Sequence, residues 1–400
     1  MRMKKIIAML LSAVLLSFAL VSCDEFDPDY WKDKYGVQDT TVYNVYYDFY
    51  VITEDGTDEP AKVTVNDSIN QLLKKYNTQV KIHYLTATEY QTSLKADVEA
   101  GPTDLSDTEF RNYLYGGRIV LINDKDMLSD YNFADLAPYL ASNKFGDLAP
   151  DYKSPLLDAA YVNGALYGVP NNRVFGSYDY IQINREIAER KLGVSAQTTL
   201  LSITSMDDEH ALELKAKIAE YNANNDPGEA DLVESDVITL VTDKPYEYKQ
   251  TEEAKKVEGT ARQQYIVNVA KYPVANADEA YASAYGVLPS ANKTEAGKNE
   301  QGEDIQVVLV DYTDRAMDII YELNKEKKDN NIRNTLQYGV KGANYTVVDG
   351  IVVKSTEEDR VYNMNIEYTG NVFIASYSDA WTADAAKYGL EQNKQSVLGE

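Results

Sequence analysis

Three kinds of side chain in this sequence could carry chemistry: a single thiol, two imidazoles, and a short run of amide, guanidinium and phenol groups. The thiol is Cys23, the one cysteine in 400 residues. It directly follows Leu20-Val21-Ser22, at the end of the apolar run Ile6 to Val21, which Arg2, Lys4 and Lys5 precede. That run is short for a membrane span and matches the h-region of a signal peptide. Aliphatic and small residues leading straight into a cysteine form a lipobox, whose thiol receives a diacylglyceryl group before cleavage in front of it. Residues 1–22 therefore read as a lipoprotein signal peptide, and Cys23 as the first mature residue and lipidation site, held at a membrane by two or more acyl chains. No thiol is left for a disulfide, a zinc cluster or a nucleophile. His83 and His210 lie far apart in different kinds of segment, so neither a histidine metal site nor a histidine triad can be assembled from them. Charge runs such as Glu252-Glu253 and Glu357-Glu358-Asp359 read as solvated faces, and no calcium-loop pattern is present. We expect no cofactor and no metal.

The remaining candidates are Asn171, Asn172, Arg173 and Tyr178. Amides and a guanidinium fork bind hydroxyls in pairs, and a phenol ring stacks on an apolar ring face, which is the chemistry a sugar requires. Asn171 and Asn172 are equally at home as turn residues after Pro170. Tyr47 and Asp48 lie in the first strand, whose end faces the ligand in many α/β proteins, although the aromatic run Tyr43 to Tyr50 also suits packing. Trp381 follows Ser378-Asp379-Ala380 before a helix and could stack on a ligand or fill a core.

The elements that must position these residues alternate along the chain. A β-rich run Val42 to Thr53 is followed by a helix near Ser68 to Tyr76, a strand Val80 to Leu85, a helix Thr88 to Ala100, a helix Asp107 to Tyr115 and, after Gly116-Gly117, a strand Arg118 to Asn123. A hairpin-like stretch with Asn163-Gly164 precedes Gly168-Val169-Pro170, and a helix covers Asn184 to Leu192. Asp207 to Tyr221 is a charged helix, and the acidic segment from Asn222 to Lys256 reads as an insertion. Strands near Tyr265 to Val269, Ala284 to Leu288 and Ile305 to Val310 lead to the helix Thr313 to Lys328, with Thr313 as N-cap and Glu322, Lys325 and Lys328 facing outward. After a helix Asp329 to Tyr338, strands are expected over Tyr345 to Val353, Val361 to Tyr368 and Asn371 to Ser376, then a helix Ala383 to Asn393. The order is that of an α/β protein, and about 378 mature residues call for two domains. The net charge of −25 repels nucleic acid and anionic lipid and excludes a nucleic-acid role. Thirty-three tyrosines against eight phenylalanines suit a wet, polar binding surface.

Four stretches resemble one family: the lipobox; Tyr76-Asn-Thr-Gln-Val80 through Tyr90; Gly164-Ala-Leu-Tyr-Gly-Val-Pro170; and Asp314-Arg-Ala-Met-Asp-Ile-Ile-Tyr-Glu-Leu323 leading to Leu336-Gln-Tyr-Gly-Val340. The chain resembles the extracellular solute-binding lipoproteins of bacterial ABC importers, of the carbohydrate-type family 1. That resemblance implies a two-lobe periplasmic-binding-protein-like fold of type II, its α/β lobes joined by crossover strands with a ligand cleft between them. It implies a tether at 23–40, lobe one at 41–172 plus 284–340, and lobe two at 173–283 plus 341–400. Ligand-binding residues would then be Arg173, Asn171, Asn172, Tyr178, Trp381, Asp48 and Tyr47. The partners implied are a small sugar ligand, the importer's membrane subunits and the membrane itself, on its extracellular or periplasmic side. Family members usually continue for several more helices after the segment like Asn371 to Ala375, a departure that bears on the second lobe. Two other readings stay open: a surface sensor or adhesin with a degenerate cleft, and a surface glycosidase with two facing carboxylates.

Overall fold

A computed structural model describes residues 44–102, 113–140, 155–194, 202–226, 228–243, 255–259, 262–268, 272–290, 294–298, 304–308, 312–325 and 331–399. The expected signal peptide, Cys23, the tether and most of the helix expected at Asp107 to Tyr115 lie outside these residues.

The first lobe is built on β1 (Val45–Ile52), whose eight residues are all buried. Its tyrosines, phenylalanine and β-branched residues suit a strand covered on both faces, as the centre of a parallel sheet must be. After α1 (Glu59–Leu73), β2 (Thr78–Leu85) lies parallel to one side of β1. After α2 (Tyr90–Ala100), β3 (Leu114–Ile122) lies parallel on the other side. The β1–β3 register slips by one residue between Tyr46 and Tyr47, at the glycine pair noted in the sequence. Gly117 has φ +116°, and a Cβ there would sit 2.3 Å from the carbonyl oxygen of Leu288, so only glycine lets the strands meet.

A hairpin, β4 (Tyr161–Val162) and β5 (Ala165–Leu166), turns at Asn163 and Gly164, both in left-handed backbone as a tight two-residue turn requires. The chain then forms β6 (Val169–Pro170) and leaves the sheet. The second lobe follows: β7 (Tyr178–Asn184), α3 (Glu209–Ala223), β8 (Ile238–Asp243), β9 (Lys255–Gly259) and β10 (Arg262–Asn268), an antiparallel sheet in the order β8-β7-β10-β9. Ile181 and Ile183 of β7 pack with Leu214 and Ile218 of α3 in a core separate from the first. The return runs through β11 (Val274–Ala275), bridged to Ser177, and a single turn over Ala277–Tyr281. It re-enters the first sheet as β12 (Ala284–Pro289), antiparallel to both β3 and β6. Among the described residues the first sheet has the order β2-β1-β3-β12-β6.

Beyond it come the hairpin β13 (Thr294–Lys298) and β14 (Asp304–Val308), the helices α4 (Thr313–Asn324) and α5 (Asn331–Tyr338), the hairpin β15 (Tyr345–Val348) and β16 (Ile351–Lys354), and finally α6 (Ala383–Gln395) with β17 (Val397–Leu398), which pairs with β11. Tyr362 and Met364, in the range expected for lobe two, lie in the core of the first lobe.

Several local expectations change. Tyr345 to Val353 is a hairpin rather than one strand, because Asp349 and Gly350 adopt positive φ. Val361 to Tyr368 and Asn371 to Ser376 are not strands but single turns at Ile366–Tyr368 and Val372–Ile374. Asn365 and Asn371 start them by accepting from the amides of Glu367 and Phe373, an asparagine habit that competes with a ladder. Thr313 is the first residue inside α4, after Tyr312, rather than its cap. Glu322 and Lys325, both expected outside, are buried: α4 lies between the sheet and the turn at Lys74–Tyr76, where Lys75, Lys325 and the Tyr76 hydroxyl all meet the same carboxylate oxygen of Glu322. Among the described residues no helix is long and apolar enough to cross a membrane.

Candidate ligand-binding cleft

The parallel strands β1, β2 and β3 end on one edge of the first sheet, at Ile52, Leu85 and Ile122, and the two crossovers leave from the same edge after Pro170 and before Ala284. Ligands of open α/β sheets bind outside this carboxyl edge. Beyond β3 it carries an open cavity of about 970 Å³, lined among others by Asn123, Asp124, Lys125, Ser129, Tyr167 and Asp278. That volume lies within the roughly 300–1,000 Å³ of small-molecule sites.

Each wall has a local cause. Asn123 is the residue immediately after β3. The next loop is pinned by Asp124, whose carboxylate accepts from the amide of Asp126 at 2.9 Å. Tyr167 follows the β4–β5 hairpin, and its amide is 3.4 Å from the Tyr281 hydroxyl. Asp278 sits in the return turn, which opens with a reciprocal cap: Asn276 Oδ1 accepts from the Asp278 amide at 2.9 Å, and Glu279 accepts from the Asn276 amide.

Two features give the cavity its chemistry. The side-chain carbonyl of Asn123 is buried without a hydrogen-bond partner among the described residues. An unmet buried acceptor costs about 1–3 kcal/mol. Lys125 reaches from the β3 loop to Asp278 in the return turn, Nζ to Oδ1 at 2.7 Å. Both are well exposed, so the pair fixes position more than it stabilises. Behind the wall, burial pushes the Tyr281 hydroxyl up to about 12, so at neutral pH it stays a donor, and it donates to the carbonyl of Ala160.

The residues singled out in the sequence fall into two groups. Asn171, Asn172 and Arg173 form the first crossover. Asn171 is fully buried, and its amide donates to Ser283 Oγ at 2.9 Å and to the Glu367 carbonyl at 3.2 Å. The carbonyl of Asn172 accepts from the amide of Val372. Arg173 is 2 % exposed, and its guanidinium donates to the carbonyls of Val174 and Glu279, with the Glu279 carboxylate at 3.7 Å. Tyr178 begins β7, its hydroxyl 3.5 Å from Gln395. Trp381 is buried with Val174, Val372 and Ala386, edge-on to Phe373. These five therefore gather around the crossover and α6. Asp48 and Tyr47 lie apart, buried in β1: Asp48 accepts from Tyr115 at 2.9 Å and faces His83 Nε2 at 2.8 Å, and Tyr47 donates to the carbonyl of Tyr312. Asn123, Lys125, Tyr167 and Asp278 were not among the sequence candidates. For Asn123 the signal was its position at the end of a strand; Asp278 becomes visible only once the return crossover is folded.

No protein-family model matches the chain, and no curated protein matches it. Solved structures do. The N-glycan transport solute binding protein NgtS from Streptococcus pneumoniae shares 12% identity over 88% of this chain and 83% of that chain, with a TM-score of 0.51. A looser likeness is to an extracellular solute-binding protein from Bifidobacterium longum subsp. infantis, with 9% identity over 88% of this chain and 81% of that one and a TM-score of 0.43. The fold and the edge cleft together define the class: this chain has the two-lobe α/β fold of the solute-binding proteins, as its sequence led us to expect. Within that class the likeness to NgtS extends over most of both chains.

Proposed function

We propose that the protein captures a small solute, a carbohydrate, in the cleft beyond β3 and presents it to the membrane subunits of an ABC-type importer. The observation that carries this reading is the cavity itself: an orphaned amide carbonyl at Asn123, an aromatic wall at Tyr167, and a rim drawn from the return crossover. Amide and aromatic surfaces together suit a hydroxylated ring. The named lining comes from the first lobe and the crossover turn. A ligand seated there gains further contacts if the β7–β10 sheet swings toward it, which would make the closed form the one it selects. A protein of the same fold is described as an N-glycan transport solute binding protein, which agrees with a sugar ligand.

Cys23 would carry the lipid and the following residues the tether, holding the lobes at the outer or periplasmic face of a membrane. The role is capture and release, with no bond made or broken in the solute. The test is a titration of intrinsic tyrosine and tryptophan fluorescence with a panel of mono- and oligosaccharides. A saturable change with one structural class is expected; no change with any of them, alongside a saturable change with an amino acid or peptide, would remove the carbohydrate assignment.

A further inference from the structure

The crossover residues 173–176 are not part of a regular sheet, so their backbone groups need partners from elsewhere. One helix supplies several of them. Gln392 of α6 is 2 % exposed, and its amide nitrogen donates to two successive carbonyls, Phe175 at 3.0 Å and Gly176 at 2.9 Å. Asn393 completes the set, donating to the Arg173 carbonyl at 2.7 Å and accepting from the Phe175 amide at 3.1 Å. Ser396 adds a bond to the Phe175 carbonyl at 3.3 Å. The helix can come this close because position 389 is glycine: a Cβ there would lie 2.5 Å from a methyl of Val174.

The same terminal segment also grips the return crossover. Val397 donates to the Pro273 carbonyl at 3.0 Å, Gly399 donates to the Ala275 carbonyl at 2.9 Å, and β17 pairs with β11. Among the described residues, both crossovers are therefore fastened to one segment, α6 and β17, that belongs to neither main sheet.

We propose that α6 and β17 are a strap that sets the resting angle between the lobes, with Gln392 as its principal positioning residue. Hinge motion is absorbed by φ/ψ changes at a few connecting residues. Rotation about the 175–176 peptides turns the two carbonyls apart, and a single amide nitrogen can then no longer serve both. The strap thus favours one arrangement of the crossovers, and a ligand that selects another must work against it. This purpose rests on the solute-binding reading, but the device is observable without any ligand.

The experiment is a spin-label distance measurement between the lobes in the ligand-free full chain, held in detergent, with Cys23→Ser and labelled cysteines at Lys95→Cys on α2 and Glu220→Cys on α3, both exposed. Gln392→Glu keeps the shape of the side chain and removes both donated bonds. Val397→Pro removes the bond to Pro273 at the far end of the strap. Each is expected to widen or displace the distance distribution relative to the parent. Unchanged distributions in the variants that unfold cooperatively would overturn the proposal; should Gln392→Glu fail to fold, Val397→Pro decides alone. Either result leaves the sugar titration free to succeed or fail independently.

Discussion

The Asn171 side chain donates to Ser283 Oγ at 2.9 Å across 112 residues of sequence, joining the two crossover strands where they meet the first sheet. The pairing is reinforced by the Asn171 amide on the Ser283 carbonyl at 2.8 Å and by both side chains on the carbonyl of Glu367. Asn171→Ala should therefore lower stability by about 1–3 kcal/mol, since it strands buried partners as well as losing its own bonds. Chemical denaturation measures this. A change within error would mean that the pin contributes nothing to the folded state.

Glu322 gives the fold an acid-sensitive joint. Burial alone would raise its carboxyl, but hydrogen bonds from Lys325, Lys75 and Tyr76 outweigh it and hold the group below the usual glutamate range. A depressed carboxyl stabilises the folded state fully above the unfolded value, about 4.3, and the stabilisation is lost as pH falls through the folded value. Glu322→Gln should flatten that part of the stability–pH profile below about pH 5. Glu322→Ala, which leaves buried Lys325 without its partner, should cost about 3 kcal/mol near neutrality. Unfolding midpoints across an acid titration of the three proteins check both statements.

Lys125 and Asp278 face each other across the cleft rim, both exposed. Lys125→Ala should change stability by less than about 1 kcal/mol, as exposed pairs do. Its effect should fall on ligand affinity, read by calorimetric titration with whichever sugar the fluorescence panel identifies. Loss of stability with affinity intact would show that the pair has a purely structural role.

Cys23 predicts a partition. The expressed protein should enter the detergent-rich phase of a cloud-point separation and carry a diacylglyceryl mass increment on its first residue. Cys23→Ser should lose the increment and the lipid-dependent partition. An unmodified Cys23 in the wild-type protein would dismiss the anchor.

Much of the framework could be read in the sequence because it rests on local pattern. The buried run around Tyr46–Ile52, the amphipathic face of α4 and the Asn163–Gly164 turn each follow from periodicity or turn chemistry. What could not be read came from long-range pairing. Asn365 and Asn371 lie in stretches expected to be strands, but their side chains cap single turns that pack on α5 and α4. Glu322 followed the polar face of its helix, yet it is buried and paired with Lys75 from far back in the chain. Arg173 and Asn171 were chosen for their functional groups, and the fold uses those groups to join the crossovers, while Asn172 contributes its backbone carbonyl to the amide of Val372. Asn123 carried no chemical signal beyond its place at the end of a strand. Only the folded turn at 277–281 turns that place into a cavity wall.

The most direct test of the cleft is thermal unfolding of the protein and of Asn123→Ala against the same panel of mono- and oligosaccharides, because binding to the folded state raises the midpoint by mass action. We predict a saturable rise with one class of sugar in the parent, and a smaller rise in Asn123→Ala whose unliganded midpoint is not lowered. A flat response to every sugar, or an equal rise in both proteins, would contradict sugar capture at this edge of the first sheet.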